Sequence, residues 1–388
     1  MLTADGERNH YERPSAVSVR RVVVVGGGVM GSAAAWRLAA RGDEVTLLER
    51  FRPGHDRGSS HGTSRIFRLA YADPFYVDLT VRALPLWQRL EEATGRRILT
   101  LTGAVDHGPA AVIEALHEGL TRVGRPAERL VPEQVAERWP GLRADTSALY
   151  HPEAGRLHAD ESVAAFQQAA RDHGADVRHG VRVSGVSVQG DSVRVRVEGQ
   201  EDIRADAAVV AVGSWTADLL VNGPGGPLRS LPALRVTQEQ PAHFPAADPL
   251  SWPSFIHHPG AALPAVGPTV DGVYGLGSVE GVKAGFHGIG PVVDPEHRDR
   301  TPDAETLRAL AAYAERWLPG VEHTAPEPLT CLYTTTKQHD FIADRQGPVT
   351  VLGGCSGHAF KFAPVLGELA ADLIHGHPGP DRFRLDRP

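Results

Sequence analysis

"RRVVVVGGGVMGSAAAWRLAARGDEVTLLER", residues 20 to 50, decides the fold. The apolar run Val22 to Val25 predicts a short buried strand, and Gly26-x-Gly28-x-x-Gly31 follows it as a turn. An alanine-rich stretch then predicts a helix to about Ala40, and Val45 to Leu48 predicts a second strand closed by Glu49. This is a βαβ unit. Its glycines have separate tasks: a tight turn, close approach of backbone to a pyrophosphate, and tight packing of the helix on the sheet. The helix N-terminus adds N–H donors and the positive end of a dipole. Glu49 stands where an acid accepts hydrogen bonds from an adenosine ribose. A glycine turn alone would be a weak signal; with the strand, helix and acid around it, the pattern predicts dinucleotide binding.

The unit by itself does not separate NAD from FAD. A nicotinamide enzyme would continue with further βα units, whereas this chain passes into the basic, loop-like "RPGHDRGSSHGTSRIFRLAY", residues 52 to 71. An amphipathic helix is expected over 76 to 94, and strands within "RILTLTGAVDHG" beyond it. The nucleotide domain is therefore interrupted early. It resumes near residue 156, with a helix from Glu161 to His173 ended by Gly174, a strand pair, and "DAAVVAVGSWTADLL" (206 to 220) as strand, Gly-Ser turn and helix start. A proline- and glycine-rich middle, 223 to 295, holds short strands such as Thr269 to Tyr274, and a helix is expected over 304 to 317. "TVLGGCSGHAFKFAPVLGELAADLIHG", residues 350 to 376, again reads strand, glycine turn, helix, and suggests a second contact with the same cofactor.

Composition sets the outer bounds. A chain of 388 residues exceeds the usual size of one hydrophobic core, so two domains are expected. A net charge of −7 gives no electrostatic reason to expect nucleic acid or an anionic membrane as partner. No apolar run is long enough to span a bilayer, and residues 1 to 18 are expected to be a flexible polar extension without the apolar core of a signal peptide. The two cysteines, Cys331 and Cys355, argue against a disulfide framework and suit a cytoplasmic protein. The 19 histidines form no HExxH or paired CxxC spacing, so no metal site is expected. No internal repeat or low-complexity tract is present.

GGGVMG with Glu49, "SSHGTSRIFRLAY" (59 to 71), "VKAGFH" (282 to 287), "CLYTTTKQHDFIAD" (331 to 344) and "GCSGHAFKFAP" (354 to 364) occur in this order along the chain. Together they resemble the monomeric sarcosine oxidase and N-methyltryptophan oxidase family of FAD-dependent amine oxidases, within the D-amino acid oxidase-like superfamily. The resemblance covers nearly everything after residue 19 and is weakest over 220 to 275. It implies an α/β fold: a discontinuous Rossmann-type FAD-binding domain (19–84, 156–222, 325–388) and an α+β substrate domain with a mixed or antiparallel sheet (85–155, 223–324). It also implies a monomer that oxidises a secondary amine or a cyclic imino or amino acid bearing a carboxylate. Hydride would pass from the substrate α C–H to flavin N5, giving an imine, and O₂ would be reduced to H₂O₂. The alternative is a flavin dehydrogenase or a biosynthetic tailoring oxidase acting on a larger amino acid-derived or carrier-bound substrate. A flavin-holding protein with a degenerate site is a further possibility, and the retained Arg68, Lys283 and Lys361 argue against it.

The resemblance also assigns residues. Composition alone makes Cys331 a buried apolar cysteine; the resemblance makes it a thioether link to the 8α carbon of FAD, while Cys355 stays a small packed side chain. Arg68 and Lys361 match the family's carboxylate clamp, a pairing that fixes a plane as well as a charge; a helix-capping arginine and a solvated lysine are the plain alternatives. Lys283 matches the lysine that promotes reaction with O₂, and could otherwise be an exposed loop lysine. His287 would tune the proton balance near the substrate, or be a loop residue with no role. Tyr333 and Tyr274 would wall the pocket or simply pack in the core.

Cofactor contacts are expected at Gly26, Gly28, Met30 and Gly31 in the first turn, and at Glu49 and Arg50 beyond it. Ser60 continues the set; the resemblance makes His61 and Arg65 cationic groups near the flavin ring, with structural pairing to acidic neighbours as the alternative. Val183, Gly213 and Trp215 follow in the middle of the chain, and Gly354, Gly357, His358, Phe360 and Lys361 close it beside Cys331; His358 is first of all read as a packed or backbone-bonded histidine, with flavin contact as the alternative.

Overall fold

The computed structural model describes residues 19–223, 226–228, 231–258, 260 and 272–387. The expected extension 1–18 and the first residues of the expected strand Thr269–Tyr274 lie outside them; the strand itself runs Val273–Ser278.

The opening βαβ unit forms as Arg21–Val25, helix Val29–Ala40 and Glu44–Glu49. Its strands sit inside a sheet of order Ile342–Gln346, Val349–Gly353, Ala207–Val210, Arg21–Val25, Glu44–Glu49, Asp176–His179. All neighbours are parallel except the hairpin of the first two. Parallel strands buried on both faces need apolar residues throughout, which is why Val22–Val25 and Ala207–Val210 carry no polar residue. One face is covered by helices Val29–Ala40, Ala159–Asp172 and Ala363–Ile374. The other is covered by the antiparallel strands Val183–Gln189, Ser192–Val197 and Ile203–Ala205. The last helix lies directly on the first: a Cβ at Gly367 would stand 2.6 Å from the Ala33 carbonyl oxygen. The two ends of the chain thus build one nucleotide fold.

A second sheet of eight strands among the described residues runs Glu327–Pro328, Ala242–Phe244, Gly281–Phe286, Val273–Ser278, Ser254–His257, Ala104–His107, Ala148–His151, Glu128–Leu130. It is mixed: Ser254–His257 and Ala104–His107 are parallel and the other neighbours antiparallel. Helix Ala304–Trp317, capped by the Asp303 carboxylate on Thr306 N–H at 2.7 Å, packs Leu310, Tyr313 and Trp317 against one face. The other face looks toward the nucleotide fold. Between them Cys331–Thr336 pairs antiparallel with Leu234–Glu239, placing Cys331 opposite Glu239.

Helix Pro74–Thr94 is longer than expected, starts on an Asp73 cap and tolerates Pro85 in its interior. The domain boundary expected at 84/85 falls inside it. Ala110–Arg122 and Pro132–Arg138 are helices outside the sequence expectation. The helix start expected before residue 220 is a wide π-type turn, Asp218–Asn222, ended at Gly223, where a Cβ would press on the Asp218 carbonyl oxygen at 2.8 Å.

Candidate active site

At the glycine turn the backbone itself leaves no room for side chains. Gly26 has φ +102°, and a Cβ there would meet the Ala211 carbonyl oxygen at 2.5 Å. A Cβ at Gly31 would lie 1.9 Å from the Gly26 carbonyl oxygen. Glu49, buried at the end of its strand, accepts from Gly27 N–H at 2.6 Å and Phe51 N–H at 2.9 Å, which fixes the loop. Gly28 caps the helix without a side chain, and the Ser60 hydroxyl accepts from Val29 N–H at 3.1 Å. Gly213 (φ +55°) opens a short turn beyond Ala211, and Val183 begins its strand two residues after Val181, whose N–H donates to the Glu49 carbonyl.

A cavity of about 370 Å³ runs from this helix N-terminus to the mixed sheet. Val29, Met30 and Ser60 line its near end; Arg65, Arg68, Lys283 and His287 line the middle with Cys331 and Tyr333; Gly357, His358, Phe360 and Lys361 close the far side. Most of the expected redox and clamp residues therefore meet in one space, though they come from five separate segments. Gly26, Gly31, Glu49, Arg50, Val183, Gly213, Trp215 and Gly354 lie outside its lining, as does His61, which faces a second cavity.

Each polar side chain has a defined setting. Arg68 donates to the Ala70 carbonyl and to Asp106 Oδ1 at 3.2 Å, with its guanidinium 4.6 Å over the Tyr71 ring. Lys361 is buried, not solvated, and donates to Tyr71 Oη at 2.9 Å and to the His358 carbonyl at 2.8 Å. Burial, then Arg68, push its ammonium well below the ordinary lysine range. Lys283 is a buried strand residue rather than an exposed loop lysine, and donates to the Ser64 carbonyl at 2.7 Å. Burial and the adjacent Arg65 bring it down to about 7. Arg65 is held by the Ser59 and Ser64 carbonyls and lies 5.6 Å from the Phe360 ring centre. Tyr333 packs on Gly357, where a Cβ would meet its ring at 2.3 Å, and shares a hydrogen bond with Tyr274; its ring centre is 5.4 Å from that of His287.

His61, His358 and Arg50 have settings of their own. Burial, then Arg65, push His61 down to about 3, which favours its neutral imidazole over the expected cation. His358 is likewise pushed to about 3 by burial and Lys361, and its Nε2 is 3.0 Å from the His339 carbonyl, so its ring packs among Tyr76, Phe341 and Phe362. Arg50 is committed to a two-armed pair with Glu296 at 2.5 and 2.7 Å, and the same carboxylate accepts from Trp215 Nε1 at 2.9 Å. Cys355 does line the cavity, with Sγ 3.8 Å from Met30 Sδ and its thiol raised to about 11 by burial.

Asp106 and His258 carry no sequence motif. Asp106 is fully buried on the strand Ala104–His107 and accepts from His258 Nε2 at 2.9 Å as well as from Arg68. Burial alone would raise its carboxyl; Arg68, His151 and His258 outweigh that and hold it well below the usual range. The available signal was a charged residue inside a strand otherwise patterned for burial.

A family model described as FAD dependent oxidoreductase (DAO) matches residues 21–373. The chain belongs to this family. It is 35% identical over 363 residues to a monomeric sarcosine oxidase of Streptomyces avermitilis, covering 91% of this chain and 92% of that protein. It is 28% identical to an N-methyl-L-tryptophan oxidase of Yersinia pestis, covering 92% and 96%. The solved open form of NikD, described as an unusual amino acid oxidase essential for nikkomycin biosynthesis, superposes with a TM-score of 0.81 at 26% identity over 95% and 97% of the two chains. The family resemblance carried by the motifs therefore stands, and the protein is an FAD-dependent oxidoreductase. The residues fit that cofactor: Gly26 and Gly31 leave no room for a Cβ, the cavity is continuous from the helix N-terminus to Lys361, and the buried Ser64 Oγ on its wall has no hydrogen-bond partner. Among the described residues no group of side chains could hold a metal, and no helix is long and apolar enough to cross a membrane.

Proposed function

We propose that this protein oxidises a small secondary amine or a cyclic imino or amino acid bearing one carboxylate, with O₂ as acceptor. The observation that carries the reading is the convergence of Arg68 and Lys361 on the cavity that also holds Cys331, Lys283 and Tyr333. FAD held there would supply a two-electron acceptor for hydride from the substrate α C–H, with O₂ as the final acceptor, the products being an imine and H₂O₂.

The chain's own groups do the rest. Arg68 holds the substrate carboxylate, and its orientation is set from behind by Asp106 and from below by Tyr71. Because Asp106 balances the Arg68 charge, the net charge of the clamp depends on Lys361, which favours a single carboxylate over a dicarboxylate. Tyr333, Tyr274 and Ile256 supply walls that limit the amine substituent. His287, beside Tyr333, is suited to hold or release a proton near the substrate nitrogen. Lys283 presents charge at the site of O₂ reduction. Cys331, buried and unpaired on the cavity wall, is the covalent anchor of the cofactor. We also assign the discontinuous FAD domain to 19–84, 156–222 and 325–388, its first segment extended to the end of helix Pro74–Thr94, the substrate domain to the segments between, and a monomeric state to the whole.

Titration of the flavin band under anaerobic conditions with N-methyl and cyclic amino acids tests the reading, followed by admission of air. Bleaching by one of them and recovery in air is expected. Failure of every such amine to bleach the band would sink it; bleaching without recovery in air would favour the dehydrogenase. The likeness to NikD supports the second reading, a tailoring oxidase of a larger amino acid-derived or carrier-bound substrate, and a carrier-bound amino acid in the same titration separates the two.

A further inference from the structure

Two cavities meet at Lys283. The second, of about 460 Å³, lies beyond the wall formed by Lys283, Arg65 and Leu329 and is lined by Asp56, His61, Thr63, His243, Glu280 and Arg300. Its character differs from the first: it is built almost wholly of titratable and hydrogen-bonding groups.

His243 stands directly opposite Lys283 in the antiparallel pair Ala242–Phe244 and Gly281–Phe286. Paired positions share a face, with Cβ atoms about 5 Å apart. His243 Nε2 and His61 Nε2 are both buried without a hydrogen-bond partner, and both residues line this chamber. Orphaned buried nitrogens are uncommon and call for a hydrogen-bonding occupant such as water. Glu280 is exposed in the turn after Ser278, and accepts from the Thr63 hydroxyl. Lys283, His243 and Glu280 thus step from buried to half-buried to exposed.

We propose that this second chamber is a proton port, in which His243 and Glu280 pass protons between solvent and Lys283 independently of the amine cavity. The proposal rests on the oxidase reading. Oxidation of R₂CH–NHR′ by O₂ to R₂C=NR′ and H₂O₂ breaks one C–H and one N–H bond and places two electrons and two protons on oxygen. One of the two hydrogens on H₂O₂ is the one that left the α carbon as hydride; Lys283 gives the other as a proton and regains it from His243, which is replenished from Glu280 and solvent, while the amine N–H proton leaves to solvent. Burial, then Lys283 and Arg65, keep His243 near 4 against the pull of Glu280, so at neutral pH its imidazole is neutral and can take a proton on one nitrogen as it releases the other. The charged and titratable groups facing the pair are Arg65 and His61 from the segment before Phe67, Glu280 from the turn, and Asp56 with Arg300 at the mouth; Glu327 flanks His243 on its other strand partner.

The test uses the flavin-loaded protein, photoreduced without any amine and mixed with oxygenated buffer. His243→Ala is expected to reoxidise about tenfold more slowly, to show a solvent deuterium effect that the unaltered protein lacks, and to recover when imidazole is added. Glu280→Gln slows reoxidation less, in the same direction, and amine-driven anaerobic reduction is unchanged in both. A His243→Ala protein that reoxidises normally, or is slowed without isotope effect or imidazole rescue, overturns the proposal. A second readout does not depend on oxygen: cyanate carbamylates neutral amines, and labelling of Lys283, followed by peptide mass, should persist with a carboxylate inhibitor filling the first cavity. Complete protection overturns the port. An unaltered protein whose reduced flavin ignores O₂ while Lys283 still labels overturns the oxidase reading and the proposed role of the port, and leaves a solvent path to Lys283 established.

Discussion

Asp106 and Arg68 meet at 3.2 Å behind the cavity wall, the carboxylate fully buried and the guanidinium facing the cavity. A buried charge that loses its partner is costly, whereas loss of both partners is much less so. Asp106→Asn and Arg68→Gln should each destabilise the protein, and the double variant should be more stable than the sum of the two losses implies. A coupling of about 1 to 3 kcal/mol is expected from denaturant unfolding. Additive losses would mean that the pair is not coupled. Arg68→Gln should also raise KM for a carboxylate substrate far more than Asp106→Asn does.

Cys331 is free of any disulfide partner and faces the cavity from the first position of its strand. If the flavin is linked there, trypsin should release the peptide Trp317–Lys337 heavier by the mass of FAD, and acid precipitation should leave the colour in the pellet. Cys331→Ser should release the colour to the supernatant. An unmodified Trp317–Lys337 peptide in yellow protein would return Cys331 to plain packing.

Gly31 and Gly42 offer a controlled comparison. Gly42 has φ +93° with nothing within 4 Å of an added Cβ, so Gly42→Ala should cost about 1 kcal/mol through backbone strain alone. At Gly31 the added Cβ falls 1.9 Å from the Gly26 carbonyl oxygen, so the helix must move off the sheet. Gly31→Ala should lose both stability and FAD, read by melting temperature and bound flavin. Equal effects at the two positions would contradict the close-packing account.

Lys283 has its folded-state pKa brought down to about 7, mainly by burial, from an ordinary value of 10.5. Between those values the unfolded chain binds the proton and the folded chain does not, so this group makes stability rise with pH across that window and penalises the fold below it. Lys283→Met should therefore be the more stable protein at pH 6, by on the order of 2 to 4 kcal/mol, and the difference should shrink as pH rises toward 10. Chemical unfolding of both proteins at several pH values checks the sign. The same variant should reoxidise slowly in air while still accepting electrons from an amine.

The nucleotide half was legible because its signals are local. Val22–Val25 must be apolar to lie inside a parallel sheet, and Gly26 and Gly31 must be glycine because backbone stands where a Cβ would go. The extra helices Ala110–Arg122 and Pro132–Arg138 carry weaker signals: Ile113, Leu116 and Leu120 give a narrow apolar stripe without a side-chain cap. The candidate site was legible only through resemblance, since Arg68, Lys283, Cys331 and Lys361 come from separate segments and share only the lining of one cavity. His258, Glu296 and His243 were not legible, and Asp106 only as a charged residue inside a strand patterned for burial. Each acts through a partner more than thirty residues away, so no spacing along the chain could announce it.

Lys361 makes the last prediction, because its charge state links binding to pH. The side chain is buried against Tyr71, and burial, then the Arg68 charge, favour the neutral amine in the free protein. A carboxylate arriving between Lys361 and Arg68 reverses the balance, since an anion at hydrogen-bonding distance stabilises the ammonium more than burial opposes it. Binding of a carboxylate inhibitor that carries no amine should therefore take up a proton from solution at pH values above the free-protein pKa of Lys361. By linkage, its affinity should fall as pH rises above the free-protein pKa of Lys361. Calorimetry in buffers of different ionisation enthalpy reads the uptake directly. Lys361→Met should bind the inhibitor more weakly, with no proton uptake and a flat pH profile over the same range. Proton uptake that survives in Lys361→Met would move the linkage to another group of the cavity, with His287 the next to test.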